Sequence, residues 1–154
     1  MCGINGIIYK RSSPNISEAH QMNQAIKHRG PDDEGLFKFK NTVIGHVRLS
    51  ILDLSKNGKQ PMTNDGQNWI TFNGEIYNFN EIKTKLIKLG HKFYSKTDTE
   101  VILCAFKEWG VKSFHQFNGM WSFAILDSVK NKLIIARDRY GVKPCYYYND
   151  NEKF

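Results

Sequence analysis

Cys2 stands where a cysteine can do more than a thiol does elsewhere in a chain. Removal of Met1 would leave one residue holding both the thiol and a free α-amine. Such an amine has a reference pKa of about 7.7 to 8.0, so near neutral pH it takes the thiol proton, and nucleophile and base arrive together without a triad histidine. Gly3 and Gly6 allow the backbone to run close to a bound substrate. A small buried hydrophobe is the alternative reading of a cysteine at this position.

Three further groups fit the same chemistry. Acyl transfer needs donors aimed at the developing oxyanion, and in Phe72-Asn73-Gly74-Glu75 the Asn73 amide and the Gly74 N–H can supply two. The same dipeptide, ending an apolar strand, also suits an ordinary β-turn. In His46-x-Arg48-Leu49-Ser50-Ile51 a guanidinium sits in an apolar strand end and needs a carboxylate, either from a substrate, gripped bidentately, or from Asp53 or Glu75. Asp98, at the mouth of a helix, can accept from a substrate ammonium or simply favour the helix dipole.

These residues must be brought together by short elements. Helical spacing is read over Ser17 to Lys27, with Ser17 as N-cap, over Asn80 to Leu89, stopped by Gly90, and from the Thr97-x-x-Glu100 capping box through Trp109 to Gly110. Strands are read over Ile4–Tyr9, Gly35–Phe39, Thr42–Leu49, Trp69–Phe72, Met120–Asp127, Lys132–Arg137 and Cys145–Tyr148, with Asp127 to Asn131 as a hairpin turn. Ser122–Leu126 and Leu133–Ala136 are apolar on both faces, as in sheets buried between layers. Without a regular β-α-β alternation, spacing alone gives a single layered α+β domain. Trp69, Trp109 and Trp121 are read as core.

Composition excludes several classes. The 154 residues suit one domain with a real core. The net charge of +7 comes from lysines scattered among polar residues, which reads as a solvated surface and not a nucleic-acid site. No apolar run reaches the roughly 20 residues of a membrane span, and no signal peptide opens the chain, so a cytoplasmic protein is expected. Cys2, Cys104 and Cys145 show no C-x-x-C spacing, and His20, His28, His46, His91 and His115 no metal-ligand spacing, so neither a disulfide framework nor a metal site is expected. Arg137, Asp138 and Arg139 are read as an internal ion-pair cluster.

In order, Met1-Cys2-Gly3-Ile4, His28-Arg29-Gly30-Pro31-Asp32, Arg48-Leu49-Ser50-Ile51, Asn73-Gly74-Glu75-Ile76-Tyr77-Asn78, Thr97-Asp98-Thr99-Glu100 and Arg137-Asp138-Arg139-Tyr140-Gly141-Val142-Lys143-Pro144 resemble, over essentially the whole chain, the class II glutamine amidotransferase domain of glutamine-hydrolysing asparagine synthetases, an N-terminal-nucleophile hydrolase. The resemblance implies a four-layer αββα sandwich of two antiparallel sheets. It implies Cys2 as nucleophile on the glutamine amide through a γ-glutamyl thioester, with Asn73 and Gly74 as the oxyanion hole. It places Arg48 on the substrate carboxylate, Glu75 and Asp98 on its ammonium, and Leu49, Ser50 and Ile51 along the pocket. Glucosamine-6-phosphate synthases, which use the same domain, carry Arg-Trp-Ala-Thr where this chain has Arg48-Leu49-Ser50-Ile51.

Nothing in the sequence resembles the ATP-using synthetase domain of that family, with its Ser-Gly-Gly-x-Asp-Ser loop. ATP and magnesium are therefore expected only on a synthetase domain or subunit that receives the ammonia, and the chain is expected to be truncated in a final hairpin or to work with a separate polypeptide. An apolar docking patch for that partner is expected. Self-association is left open, as are a sugar-modifying amidotransferase and a folded but silent glutamine-binding module.

Overall fold

The computed structural model describes residues 1–154. Two antiparallel three-stranded sheets face each other. The first has the order β1 (Gly3–Ile8), β3 (Thr42–Arg48), β2 (Asp33–Phe39); the second has β4 (Asn68–Ile76), β5 (Gly119–Asp127), β6 (Lys132–Arg137). Helix α1 (Ile16–Ala25) covers the first sheet, and α2 (Phe79–Lys88) and α3 (Asp98–Trp109) cover the second, which gives the αββα sandwich.

The period of two along each strand decides which layer a side chain enters. On the second sheet Ile70, Phe72, Ile76, Trp121, Phe123 and Ile125 point outward onto Ile82, Leu86, Val101, Ile102 and Ala105 of the helices, a core of 15 buried residues. Each large side chain so buried stabilises the fold by about 1.5–3 kcal/mol. On the first sheet Ile7 and Val43 pack with Ala19 of α1. The layer between the sheets is more polar: His46 Nε2 meets the Phe72 carbonyl at 3.1 Å, and the Thr71 hydroxyl donates to the Gly45 carbonyl at 2.8 Å. Burial pushes His46 down to about 4, so it sits there as a neutral ring. A sandwich whose middle layer is polar has a place for chemistry at its rim.

Most elements form where spacing puts them, with differences that have local causes. Asn15, not Ser17, caps α1, its side chain accepting from the Ser17 N–H at 3.0 Å, and the chain leaves the helix at Ile26 into a 3-10 turn, Lys27–Arg29. Thr97 caps α3 as expected, but the Glu100 carboxylate binds the Tyr94 and Ser95 N–H groups rather than that of Thr97. Gly90 and Gly110 end α2 and α3 with positive φ. Asn73-Gly74-Glu75 makes no turn: β5 pairs with β4 from Asn68 through Ile76 and carries the segment on as strand. The Asp127–Asn131 hairpin forms, but β6 is an edge strand, half exposed, and is not buried on both faces.

Cys145–Tyr148 joins no ladder. The edge of β1 is taken instead by residues 152–154, through Ile8 and Phe154 exchanging backbone bonds at 2.8 and 3.0 Å, so Tyr146, Tyr147 and Tyr148 stay exposed. Trp121 is core, whereas Trp69 is partly exposed and stacks on Phe37 between the sheets at 3.6 Å. No helix is long and apolar enough to cross a membrane.

Candidate active site

Cys2 leads directly into β1, at the rim of the sandwich. Its sulfur accepts from the Leu49 N–H at 3.4 Å and lies 3.7 Å from the Leu49 carbonyl, while the Arg29 Nε donates to the Cys2 carbonyl at 3.2 Å. The loop that follows α1 makes this possible. A side chain at Gly30 would collide with the backbone of Val47 and Arg48, and the Asp32 carboxylate accepts the Ser50 N–H at 2.7 Å. The His28-to-Asp32 motif thus clamps Cys2 on one side and the loop after β3 on the other.

The sulfur opens on a cavity of about 310 Å³ shared by Arg48, Leu49, Ile51, Asn73, Gly74, Glu75 and Asp98. Ser50 is the one expected pocket residue outside this lining; its N–H is spent on Asp32. Asn73 points inward from β4, is 6% exposed, and its amide bonds no other group of the protein. An amide that the fold leaves unpaired and that faces a cavity is a donor held ready. Next to it, a Cβ on Gly74 would run into the Met120 carbonyl and the Trp121 Cα, so only glycine lets β4 lie this close to β5.

Arg48 is buried, and its guanidinium donates to the backbone carbonyls of Ser55, at 2.9 Å, and Asp53, with no carboxylate in ion-pair range. The internal salt bridge to Asp53 or Glu75 does not form. Asp53 spends its carboxylate on the N–H groups of Lys96 and Ser55, which hold it down at about 2. A buried cation bound only by neutral carbonyls has capacity left for an anion. Elsewhere in the lining Glu75 carries no hydrogen bond or ion pair, and Asp98, 4% exposed, accepts the Ile76 N–H at 2.9 Å. Burial pushes Asp98 up to about 6, with the charge of Glu75 adding to the rise.

A buried guanidinium, the carboxylates of Glu75 and Asp98, a thiol and an amide donor lining one cavity suit an amino acid with a side-chain carbonyl. The family model of a glutamine amidotransferase domain matches residues 1–154. The chain belongs to that family. It is 47% identical over its full length to a putative glutamine-hydrolysing asparagine synthetase 2 of Methanocaldococcus jannaschii and 37% identical over 99% of its length to asparagine synthetase 1 of Bacillus subtilis. The chain spans about 33% and 25% of the lengths of those two relatives. Among solved structures it is similar in fold to the glutamine phosphoribosylpyrophosphate amidotransferase of Bacillus subtilis, with a TM-score of 0.74 and 21% identity over 88% of this chain and 37% of that one.

Other parts of this amidotransferase domain's cavity are not evident from residue types. Gln60 spans the wall, its Oε1 accepting the Phe72 N–H at 2.7 Å and its Nε2 donating to Thr99 Oγ1 at 3.2 Å. The segment from Arg137 to Lys143 is no ion-pair cluster. Asp138 accepts the N–H groups of Trp121, Tyr140, Val142 and Lys143, while Arg139 binds the carbonyls of Phe117 and His115. That loop turns Lys143 into the cavity. Lys143 lies in the last of the quoted motifs, but its type among 22 basic residues gave it no chemical role.

Proposed function

We propose that this domain hydrolyses glutamine to glutamate and ammonia at Cys2 once Met1 is removed, and that the ammonia passes to an acceptor on a synthetase domain or subunit, as the asparagine synthetase relatives suggest. The observation that carries the reading is the unpaired Asn73 amide in the same cavity as the Cys2 thiol. The thiol attacks the side-chain amide carbon of glutamine, its proton passing to the Cys2 α-amine. The oxyanion meets the Asn73 amide and the Gly74 N–H. The amine then protonates the leaving nitrogen, and ammonia departs. Water, deprotonated by the same amine, hydrolyses the γ-glutamyl thioester and restores the thiol.

Arg48 takes the substrate carboxylate and Glu75 and Asp98 its ammonium. Leu49 and Ile51, with the Ser50 backbone held by Asp32, form the rest of the wall. Glutamate in the same place would bring one charge more than glutamine, which favours the amide. Magnesium and ATP are assigned to the partner, on the resemblance to the asparagine synthetases. The exposed Tyr140, Val142, Tyr146, Tyr147 and Tyr148 offer apolar surface for that partner to dock on. Action in the cytoplasm follows from the expected free thiols.

The test is intact mass spectrometry after incubation with a glutamine-analogue diazoketone. A mass lower by one methionine and one adduct that Cys2→Ala lacks are expected. Retained Met1 with no adduct would leave a silent module.

Two further results bear on substrate binding. Arg48→Gln is expected to raise KM for glutamine about 10²-fold or more, with kcat changed far less, because the lost contact is made equally in ground and transition states. A fall in kcat alone in steady-state kinetics would place Arg48 elsewhere. Asp98 must be ionised to hold an ammonium, and it takes its proton near pH 6. KM is therefore expected to rise as pH falls below that value, by up to about tenfold per unit. Asp98→Asn should show a raised KM without this acid limb, and an unchanged limb in that variant would assign it to another group.

A further inference from the structure

We propose that Lys143 is a further catalytic residue of the reaction at Cys2, its ammonium holding the anionic sulfur and the oxyanion that forms beside it. The inference rests on the glutaminase reading above.

Lys143 is 3% exposed and lines the cavity with Cys2, Asn73, Gly74 and Glu75. A lysine that deep normally has a carboxylate against it. This one has none in ion-pair range, and its Nζ touches only the sulfur of Met1. It is not there by looseness of the chain. The Asp138 carboxylate takes four backbone N–H groups, at 3.1 Å from Trp121 and Tyr140 and 2.9 Å from Val142 and Lys143, and so fixes the loop that aims the side chain inward.

The charged groups around the ammonium are Arg29, after α1, Glu75, on β4, Asp138, on its own loop, and Cys2 itself. Burial and the Arg29 charge press its pKa below the ordinary lysine value, while Glu75, Asp138 and Cys2 hold it up. Arg48, Asp53 and Asp98 complete the titratable lining of the cavity.

Counting charges shows what the cation is for. Glutamine brings one carboxylate, taken by Arg48, and one ammonium, faced by Asp98 and by Glu75, whose charge also reaches Lys143 without forming an ion pair with it; Asp53 is satisfied by backbone. Lys143 then has no counterpart in the substrate. The reaction supplies one: the thiolate, and the oxyanion of the tetrahedral intermediate, are negative only while chemistry is in progress. Removal of Met1 takes away the thioether and leaves the ammonium facing that charge.

The experiment compares Lys143→Met and Lys143→Arg with the parent, each shown by mass to have lost Met1. Two quantities are read: kcat and KM for glutamine, and the ratio of Cys2 alkylation rates by anionic iodoacetate and neutral iodoacetamide, which reports the local potential at the sulfur. For Lys143→Met, kcat is expected to fall about 10- to 100-fold with KM within about twofold, and the alkylation ratio to fall several-fold. Lys143→Arg should recover most of both, which a packing defect would not. If Lys143→Met does not fold, Lys143→Gln carries the same readouts.

A raised KM at constant kcat would make Lys143 a substrate-carboxylate ligand and overturn the proposal. So would an unchanged alkylation ratio, or an Arg variant as slow as the Met variant. Parent protein that loses Met1 and releases no ammonia from glutamine would refute the glutaminase reading itself, a result distinct from an active parent indifferent to position 143.

Discussion

Cys2→Ala is expected to release ammonia from glutamine at least about 10⁴-fold more slowly than the parent, because the variant keeps the α-amine and the oxyanion donors but has nothing to acylate. Water in its place lacks the covalent intermediate that divides one hard step into two. Folding should hardly notice the change. The sulfur is half-buried and makes only long contacts with Leu49, at 3.4 and 3.7 Å, so the loss of stability should stay within about 1 kcal/mol. Ammonia release and a thermal melt on the same samples check both halves. A variant within tenfold of the parent would remove Cys2 from the mechanism, whatever the cavity looks like, and a variant that no longer melts cooperatively would make the rate uninformative.

The site was legible to the extent that each residue carries its chemistry in its type. A cysteine next to the start, an amide beside a glycine, and an arginine in an apolar strand end are unusual enough to be noticed, and the structure brings Cys2, Asn73, Gly74, Arg48, Glu75 and Asp98 to one cavity. Where local reading failed, the deciding fact was a partner far away in sequence. Asn73-Gly74 has the residues of a turn, but a nine-residue strand, Gly119–Asp127, pairs along its whole length and straightens it. Cys145–Tyr148 has the composition of a strand, but β-propensity cannot say whether a free edge lies nearby, and the one at β1 is taken by residues 152–154. The triplet Arg137-Asp138-Arg139 has alternating charge that suggests mutual pairing. In the fold its aspartate binds four N–H groups and Arg139 binds carbonyls, because a tight loop must satisfy its backbone first. Lys143 follows from that loop, and so could not be seen before it.

Asn73→Ala should lower kcat about 10²- to 10³-fold with little change in KM, the loss seen when one preorganised oxyanion donor is removed. Asn73→Asp should be no better, since it puts an acceptor and a negative charge where the oxyanion forms. The stability of the alanine variant separates a catalytic amide from a structural one. The amide makes no hydrogen bond within the fold and faces the cavity, so the fold gains little from it. Its removal should therefore leave the melting temperature close to the parent's, even as turnover collapses. The neighbouring glycine behaves oppositely. Gly74→Ala would drive a Cβ into the Met120 carbonyl and should destabilise β4 and β5 themselves. If Asn73→Ala instead melts well below the parent, the amide is holding the inter-sheet layer together, and the second oxyanion donor has to be sought elsewhere in the cavity. If it melts with the parent and is slow, then the amide is kept for turnover and not for the fold, because an acyl-transfer site needs a donor that nothing else has used.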